Sequence, residues 1–251
     1  MIGWSKRRQI TLVSGALFAF LLLFVLPAYL LMRTRPTCTD GVQNGTENGI
    51  DCGGGCRYLC VGDAEAPLVQ FARAVIVDNG VYGAVAYLEN RNQHAGARAV
   101  PYVLKTYDAG GLLVGEKSGT AYIPPRKVFA LFEGRMQTGD RIPVRATFSW
   151  SATPRFERMN VEPVLDVREK HFETAIDVSR LEATLYNPSL ASVRGIEITA
   201  LLFDHGGTVY AASRTHITEL AGTASTPLSF TWPRLLAQPA RIEVLYTVPG
   251  Q

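Results

Sequence analysis

The chain has 251 residues, of which 25 are Lys or Arg, 22 are Asp or Glu and four are Cys. Three of the basic residues precede an uncharged N-terminal run, and without them the rest of the chain holds 22 basic and 22 acidic residues. The bulk of the protein is therefore neutral and has no Lys/Arg cluster with interleaved aromatics, which argues against nucleic acid as a partner.

An apolar segment close to the N-terminus predicts a membrane anchor. Residues 9–32 carry no charge and are mostly Leu, Phe, Val, Ala and Ile. A helix of this length reaches about 36 Å, enough for a hydrocarbon core of about 30 Å. Lys6, Arg7 and Arg8 stand directly before it, so the positive-inside rule predicts a cytoplasmic N-terminus and an extracytoplasmic remainder. A cleaved signal peptide is the alternative, although the run exceeds the usual core of about 7–15 residues.

The cysteines fall in one window of 23 residues that begins six residues after the apolar run. The window holds too few apolar residues for a core, so a fixed shape requires cross-links. Outside the cytoplasm an even cysteine count predicts two disulfides, and the sequence leaves their pairing open. A zinc site of four thiolates is the alternative. The four residues are Cys38, Cys52, Cys56 and Cys60.

Oxygen donors alternate with glycines in the same window, at Asp40, Asn44, Glu47 and Asp51. Calcium takes about six to eight oxygens from flexible loops, so a calcium site is a hypothesis here, and no other cofactor is predicted. These residues are also typical of turns for backbone reasons alone, which is the alternative. The window resembles a C-x-D-G-x-x-N-x-x-E-x-G-x-D-C-G-G-x-C motif of bacterial surface proteins. That resemblance implies an exported, cross-linked stalk, but no chemistry.

Beyond Pro67 the apolar residues repeat with period two, as in strands with one buried face. Residues 180–187 and 241–248 show this alternation, and Asn79-Gly80 between two apolar runs predicts a hairpin. Strand-like runs recur about every ten residues between turn residues, without a long amphipathic helix, which is typical of an antiparallel sandwich.

The strand-rich unit occurs twice, at offsets of 97, 96 and, after an expected insertion, 100 residues. A repeat of this length is domain-sized, so the sequence predicts two domains in tandem. The matched positions are Asn90 with Asn187, Tyr107-Asp108 with Phe203-Asp204, and Arg141 with Arg241. The predicted segments are a basic tail (1–9), a transmembrane helix (10–32), a Cys-rich stalk (33–66) and two β-sandwiches (67–152 and 165–251).

The second repeat resembles an FxLYD domain, an immunoglobulin-like sandwich related to late-embryogenesis-abundant and water-stress domains. The resemblance rests on Asn187-Pro188-Ser189, on residues 200–204 and on Phe230-Thr231-Trp232-Pro233, and it is weaker in the first repeat. It implies an all-β fold of two immunoglobulin-like antiparallel sandwiches. The family has no shared catalytic residues.

The motif residues have expected roles in packing and turns. Tyr107 and Phe203 are expected to fill the sandwich core or its rim, and Trp232 is expected in the core. Asp108 and Asp204 are expected to accept hydrogen bonds from the Gly-Gly turn that follows each.

A catalytic constellation is missing from the sequence patterns. There is no G-x-S-x-G, H-E-x-x-H, Gly-rich phosphate loop or C-x-x-C pair, and the four histidines are scattered. We therefore predict a non-enzymatic, single-pass envelope protein whose tandem sandwiches act as a scaffold or interaction module for other envelope proteins. A ligand- or glycan-binding ectodomain is the alternative, and an envelope hydrolase is the third hypothesis. The sequence leaves the oligomeric state open.

Overall fold

The structure, a computed structural model, describes residues 4–32 and 37–249. The predicted fold class is confirmed: the chain is mostly β, with several antiparallel sheets, one apolar N-terminal helix and a disulfide-linked Cys-rich segment. It divides into two compact units, Met1–Cys56 and Arg57–Gln251. The ends of three predicted segments lie outside the described residues: 1–3 of the basic tail, 33–36 of the stalk and 250–251 of the second sandwich.

The first unit begins with a helix in three parts: α1 (Trp4–Phe20), a π-helical segment (Leu21–Val25) and α2 (Leu26–Met32). Lys6, Arg7 and Arg8 lie in the first turns of α1. Arg8–Tyr29 has a mean hydropathy of 2.5 and is long and apolar enough to cross a membrane. Membrane anchors and signal sequences share this property, since both depend on an apolar helix.

The Cys-rich segment consists of turns held by cross-links. A disulfide joins Cys38 to Cys56, Cys52 and Cys60 are also disulfide-bonded, and none of the four described cysteines is free. The zinc alternative required four thiolates, so it is wrong for this oxidised form.

The second unit contains two β-sandwiches with the same strand topology. In the first sandwich, one sheet has the order β1-β2-β5 and consists of β1 (Leu68–Asp78), β2 (Val81–Asn90) and β5 (Lys127–Met136). The other sheet has the order β4-β3-β6 and consists of β3 (Ala95–Tyr107), β4 (Leu113–Ile123) and β6 (Arg145–Trp150). A short strand, β7 (Glu157–Arg158), pairs with the start of β3. In the second sandwich, one sheet has the order β12-β9-β8 and consists of β8 (Asp166–Ala175), β9 (Val178–Tyr186) and β12 (Ser225–Trp232). The other sheet has the order β11-β10-β13 and consists of β10 (Val193–Phe203), β11 (Val209–Leu220) and β13 (Arg241–Thr247).

The predicted Asn79-Gly80 hairpin is confirmed. It joins β1 to β2, with Asp78 opposite Val81, and Gly80 takes the positive φ of 71° that such a two-residue turn requires. The predicted alternation is also present in β9, where Leu181, Ala183 and Leu185 are buried between more exposed neighbours.

The two sandwiches pack face to face through a third apolar cluster, in addition to the core of each. Sheet β1-β2-β5 contacts sheet β11-β10-β13, and Tyr87 in β2 donates a hydrogen bond of 2.9 Å to Glu243 in β13. The four sheets therefore form four layers, of which the two inner ones are covered on both faces. We call this third set the inter-sandwich cluster; its buried members are Val75, Val85, Phe132, Leu201, Phe203, Val209 and Ala212.

One sequence correspondence is wrong. The register places Arg145 opposite Tyr107 and Arg241 opposite Phe203, so the equivalent of Arg241 is Arg145, at the same offset of 96 residues as between the aromatics. Both arginines stack on the aromatic, with centroid distances of 4.8 Å for Arg145 and 3.9 Å for Arg241. Arg141 instead lies in the preceding loop and forms an ion pair with Asp108 at 2.6 Å. The Arg-Ile pair at 141–142 repeats the pair at 241–242 that begins β13, so the sequence comparison matched a loop to a strand.

A buried asparagine ends the second strand of each sandwich. Asn187 is fully buried, and its amide donates to the carbonyls of Ala191 (2.8 Å), Ala221 (3.1 Å) and Leu220 (3.3 Å). Asn90 similarly donates to two carbonyls, each at 2.8 Å. Each asparagine thus joins loops that are distant in sequence by satisfying buried or half-buried carbonyls.

We expect Asn187→Ala to lower the free energy of unfolding by about 2–3 kcal/mol, because it leaves the buried carbonyl of Leu220 and two half-buried carbonyls without their donor. Urea denaturation of the full chain in detergent measures this loss. Asn160→Ala, at an exposed position, is the matched control and should change stability by less than about 0.5 kcal/mol. Equal effects of the two substitutions would contradict a structural role for the buried amide.

Candidate functional site

Arginine side chains from distant parts of the second unit meet in one cleft. The cavity beside the β3–β6 junction, called the main cavity for its position and not its size, has a volume of about 260 Å³. It is lined by Arg57, Tyr58, Arg98, Arg155 and Glu157 together with small residues of β3 and of the loop after β6. An adjoining cavity of about 390 Å³ shares three of these residues and adds Tyr122 and Arg158. We call the combined feature the arginine cleft.

A gap between two strand pairings creates the cleft. β6 leaves β3 at Trp150, and the chain pairs with β3 again only at Glu157 and Arg158. Between these points β3 has a bulge, with Ala99 at a φ of +49°. Bulges of this kind redirect a side chain at the rim of a sheet. Here the neighbouring side chain is that of Arg98, whose guanidinium reaches Glu157.

A single buried carboxylate organises the arginines. Glu157 is 4% exposed, forms an ion pair with Arg57, and accepts a hydrogen bond of 2.8 Å from Nε of Arg98. Arg98 also donates from Nη1 to the carbonyl of Pro249 at 2.9 Å. The hydrogen bond from Arg57, reinforced by Arg98, lowers the pKa of Glu157 below its usual 4.5 although burial opposes this shift. Glu157 therefore stays ionised and holds both guanidinium groups in place.

A third arginine lines the cleft without a carboxylate partner among the described residues. The guanidinium of Arg155 lies 4.2 Å from the centroid of the Tyr58 ring, and that of Arg57 lies 5.7 Å from it. Stacking of this kind orients an arginine while leaving its hydrogen-bond donors available. The main cavity is therefore lined by three guanidinium groups and one carboxylate, a surplus of two positive charges.

The charge on Glu157 predicts a loss of stability in acid. Because the pKa of Glu157 is lowered in the folded state, its ionised carboxylate contributes to the free energy of unfolding above about pH 4.5. This contribution is lost as the pH falls toward the folded-state pKa. We expect Glu157→Gln to lower the free energy of unfolding by about 1–3 kcal/mol at pH 7 and by less as the pH approaches 3. Denaturation curves of both proteins over this range measure the difference. A difference that grows in acid would contradict the assignment. Glu219→Gln, at an exposed ion pair, is the control.

A second buried acid fixes the segment between the sandwiches. Glu162 accepts a hydrogen bond of 2.6 Å from the backbone of Val248 and forms an ion pair with Lys127. Lys127 lies 3.3 Å from the centroid of the Tyr246 ring, and burial lowers its pKa although Glu162 opposes the shift. The ion pair with β5 and the hydrogen bond from Val248 together hold the connecting segment against both sandwiches.

The predicted calcium ligands lie in the first unit, where most of their oxygens accept hydrogen bonds from the loop itself. Asp51 accepts from the backbone of Asp40 at 2.9 Å, and Glu47 accepts from the backbone of Asn44 at 3.3 Å and of Asp51 at 3.2 Å. The hydrogen bond from the Asn44 side chain, followed by that from the Val42 backbone, lowers the pKa of Asp40. These contacts are typical of turn residues. Calcium binding stays a prediction.

The FxLYD-like residues lie in turns and in packed layers, away from the arginine cleft. Asp108 accepts hydrogen bonds from the backbone of Gly110 (3.0 Å) and Leu112 (2.9 Å), and Asp204 accepts one from Thr208 (2.8 Å). Tyr107 is partly exposed, whereas Phe203 is 1% exposed and belongs to the inter-sandwich cluster. Trp232 is 1% exposed in the second core and donates to the Ala212 carbonyl at 3.1 Å.

Sequence reasoning missed every residue of the arginine cleft. The available signal was weak: Arg155, Glu157 and Arg158 lie between the two repeats, in a segment expected to serve as a boundary. The four histidines, at positions 94, 171, 205 and 216, are all exposed and none lines the cleft.

Comparisons with known proteins do not place the chain in a family. No family model matches it, and no curated protein matches it either. Among solved structures, red sea bream transglutaminase is similar to it over 73% of this chain, with 11% identity and a TM-score of 0.24. The matched region covers 29% of the transglutaminase chain.

Proposed function

We propose that this chain is a non-enzymatic, single-pass membrane protein whose tandem sandwiches stand outside the cytoplasm and act as an interaction module for other envelope proteins. Three features support this proposal. The N-terminal helix is long and apolar enough to cross a membrane, and three basic residues lie in its first turns. The four cysteines are oxidised, as is usual for proteins of oxidising compartments.

The inter-sandwich cluster is the observation that carries the proposal. Two sandwiches joined by a flexible linker would reorient independently, whereas a buried apolar interface fixes them as one block. Its members come from both sandwiches, and Leu201 and Phe203 are at most 1% exposed. A rigid block with exposed edge strands, such as β4 and β6, is suited to holding a partner protein by strand addition.

Crosslinking in intact cells followed by mass spectrometry tests the proposal. The full chain should capture the same envelope protein reproducibly, and a chain ending at residue 56 should lose it. Leu201→Asp, which disturbs the fixed arrangement, should weaken capture, whereas Leu190→Asp, at a position 93% exposed, should not. Capture by residues 1–56 alone, or no reproducible partner, would contradict the proposal.

The arginine cleft favours a second candidate, a ligand-binding ectodomain. A concave site with a few converging polar groups is the usual form of a small-ligand site. Here the polar groups are guanidinium groups held by a buried carboxylate, and aromatic rings lie beside them. This candidate is compatible with protein interactions, because the cleft occupies one part of the second unit.

A further inference from the structure

We infer that the main cavity of the arginine cleft binds a phosphate monoester. The inference rests on the ligand-binding candidate and names the chemical class of its ligand. It concerns the cavity lined by Arg57, Arg98 and Arg155, where the bulge of β3 faces the loop after β6.

The charge of the cavity selects the class of ligand. Three guanidinium groups and one carboxylate line it, so the lining residues carry a formal charge of plus two. A phosphate monoester carries about −1.5 to −2 charges at pH 7, whereas a single carboxylate carries one. Arginine is also suited to phosphate because its planar fork of donors matches two oxygens at once. Charge and donor geometry therefore favour phosphate over carboxylate.

All three arginines are held in place before a ligand arrives. Arg57 and Arg98 each donate a hydrogen bond from Nε to Glu157, which is 4% exposed. Arg155 stacks on Tyr58 at 4.2 Å. Since side chains already held in one geometry lose little further freedom on binding, the cleft avoids much of the usual ordering cost.

The size of the cavity also fits a small phosphate monoester. A volume of about 260 Å³ holds roughly eight water molecules at about 30 Å³ each, enough for a phosphate bearing a short polyol. Phosphate monoesters of this size occur both as free solutes and as lipid headgroups. The chemistry of recognition is the same in either source.

Calorimetry with glycerol 3-phosphate, on the full chain in phosphatidylcholine nanodiscs at low ionic strength, tests the inference. We expect measurable binding that Arg155→Glu weakens at least about tenfold, because a charge-assisted contact becomes a repulsive one. Arg145→Glu is the matched control, since Arg145 is also exposed and stacks on a tyrosine, at 4.8 Å, but outside the cleft. The control should bind as tightly as the native chain.

Three results would overturn the inference: no binding by the native chain, equal loss in both variants, or binding of glucuronate as tight as that of glycerol 3-phosphate. Arg155→Glu leaves both partners of Glu157 in place, so its unfolding free energy should match that of the native chain and exclude misfolding as the cause. None of these results affects the crosslinking outcome, so failure here is distinguishable from failure of the interaction module.

Nanodiscs that also contain phosphatidic acid identify the source of the phosphate. Weaker apparent binding of glycerol 3-phosphate in these discs, with no such change when phosphatidylglycerol replaces phosphatidic acid, supports a monoester headgroup as the occupant. Unchanged binding supports a soluble phosphate monoester. Both results are consistent with recognition of a phosphate monoester by the cleft.

Discussion

Leu201→Asp is expected to uncouple the two sandwiches and to convert one unfolding transition into two. Leu201 is fully buried, and its side chain belongs to the inter-sandwich cluster rather than to either core. A carboxylate at this position enters a dry apolar contact without a partner, which costs about 3–5 kcal/mol. Each sandwich retains its own core, so both should still fold. Calorimetry of the full chain in detergent resolves the two transitions.

Leu190→Asp introduces the same charge in the same residue type at a position 93% exposed, and it should leave a single transition. Its effect on stability should stay within about 0.5 kcal/mol. A single, unshifted transition for Leu201→Asp would contradict the four-layer arrangement. Loss of all cooperative unfolding would mean that the second sandwich cannot fold without the interface.

Trp232→Ala is expected to produce the largest loss from a core position, about 3–5 kcal/mol in the free energy of unfolding. Trp232 is 1% exposed and lies 6.4 Å from Phe172, measured between ring centroids. Its indole N–H also donates to the buried carbonyl of Ala212. The substitution therefore leaves a cavity and an unsatisfied acceptor together. Urea denaturation, followed by far-UV circular dichroism, measures the loss.

Trp150→Ala is the matched comparison. Trp150 is only partly buried, beside Phe148 at 4.8 Å, and its indole N–H has no hydrogen-bond partner among the described residues. Its removal should cost at most about 2 kcal/mol, since less apolar area is lost and no acceptor is left unpaired. Equal losses for the two tryptophans would contradict their different environments.

Period-two alternation predicted one buried face for β9 and for β13, and only β9 has it, since β13 is half-buried along both faces. In β9, buried Leu181, Ala183 and Leu185 alternate with more exposed residues, and the sequence predicts this directly. In β10, residues 198–203 are all buried, because one face packs in the second core and the other in the inter-sandwich cluster. The sequence thus indicates a strand there, but the alternation that would identify its partner layers is absent.

The packing of the two repeats and the position of the cleft could not be predicted from the sequence. Phe203 was expected in the core or rim of its own sandwich, but it lies in the inter-sandwich cluster, which depends on how the two repeats pack. The cleft joins Arg57, Arg98, Arg155 and Glu157, which are far apart in the chain. They meet because β6 leaves β3 early and β3 bulges beside Ala99. No local sequence motif indicates that these four residues come together.

We propose that an uncleaved anchor holds residues 57–251 outside the cytoplasm. A recognition sequence for a site-specific protease, inserted beside Ile176 in the β8–β9 turn, tests it most directly, since Ile176 is 92% exposed. Protease added to intact cells or spheroplasts should cut the membrane-bound, full-length chain at this site. Cleavage that occurs only after lysis, or recovery of a shortened chain free of the membrane, would contradict the claim.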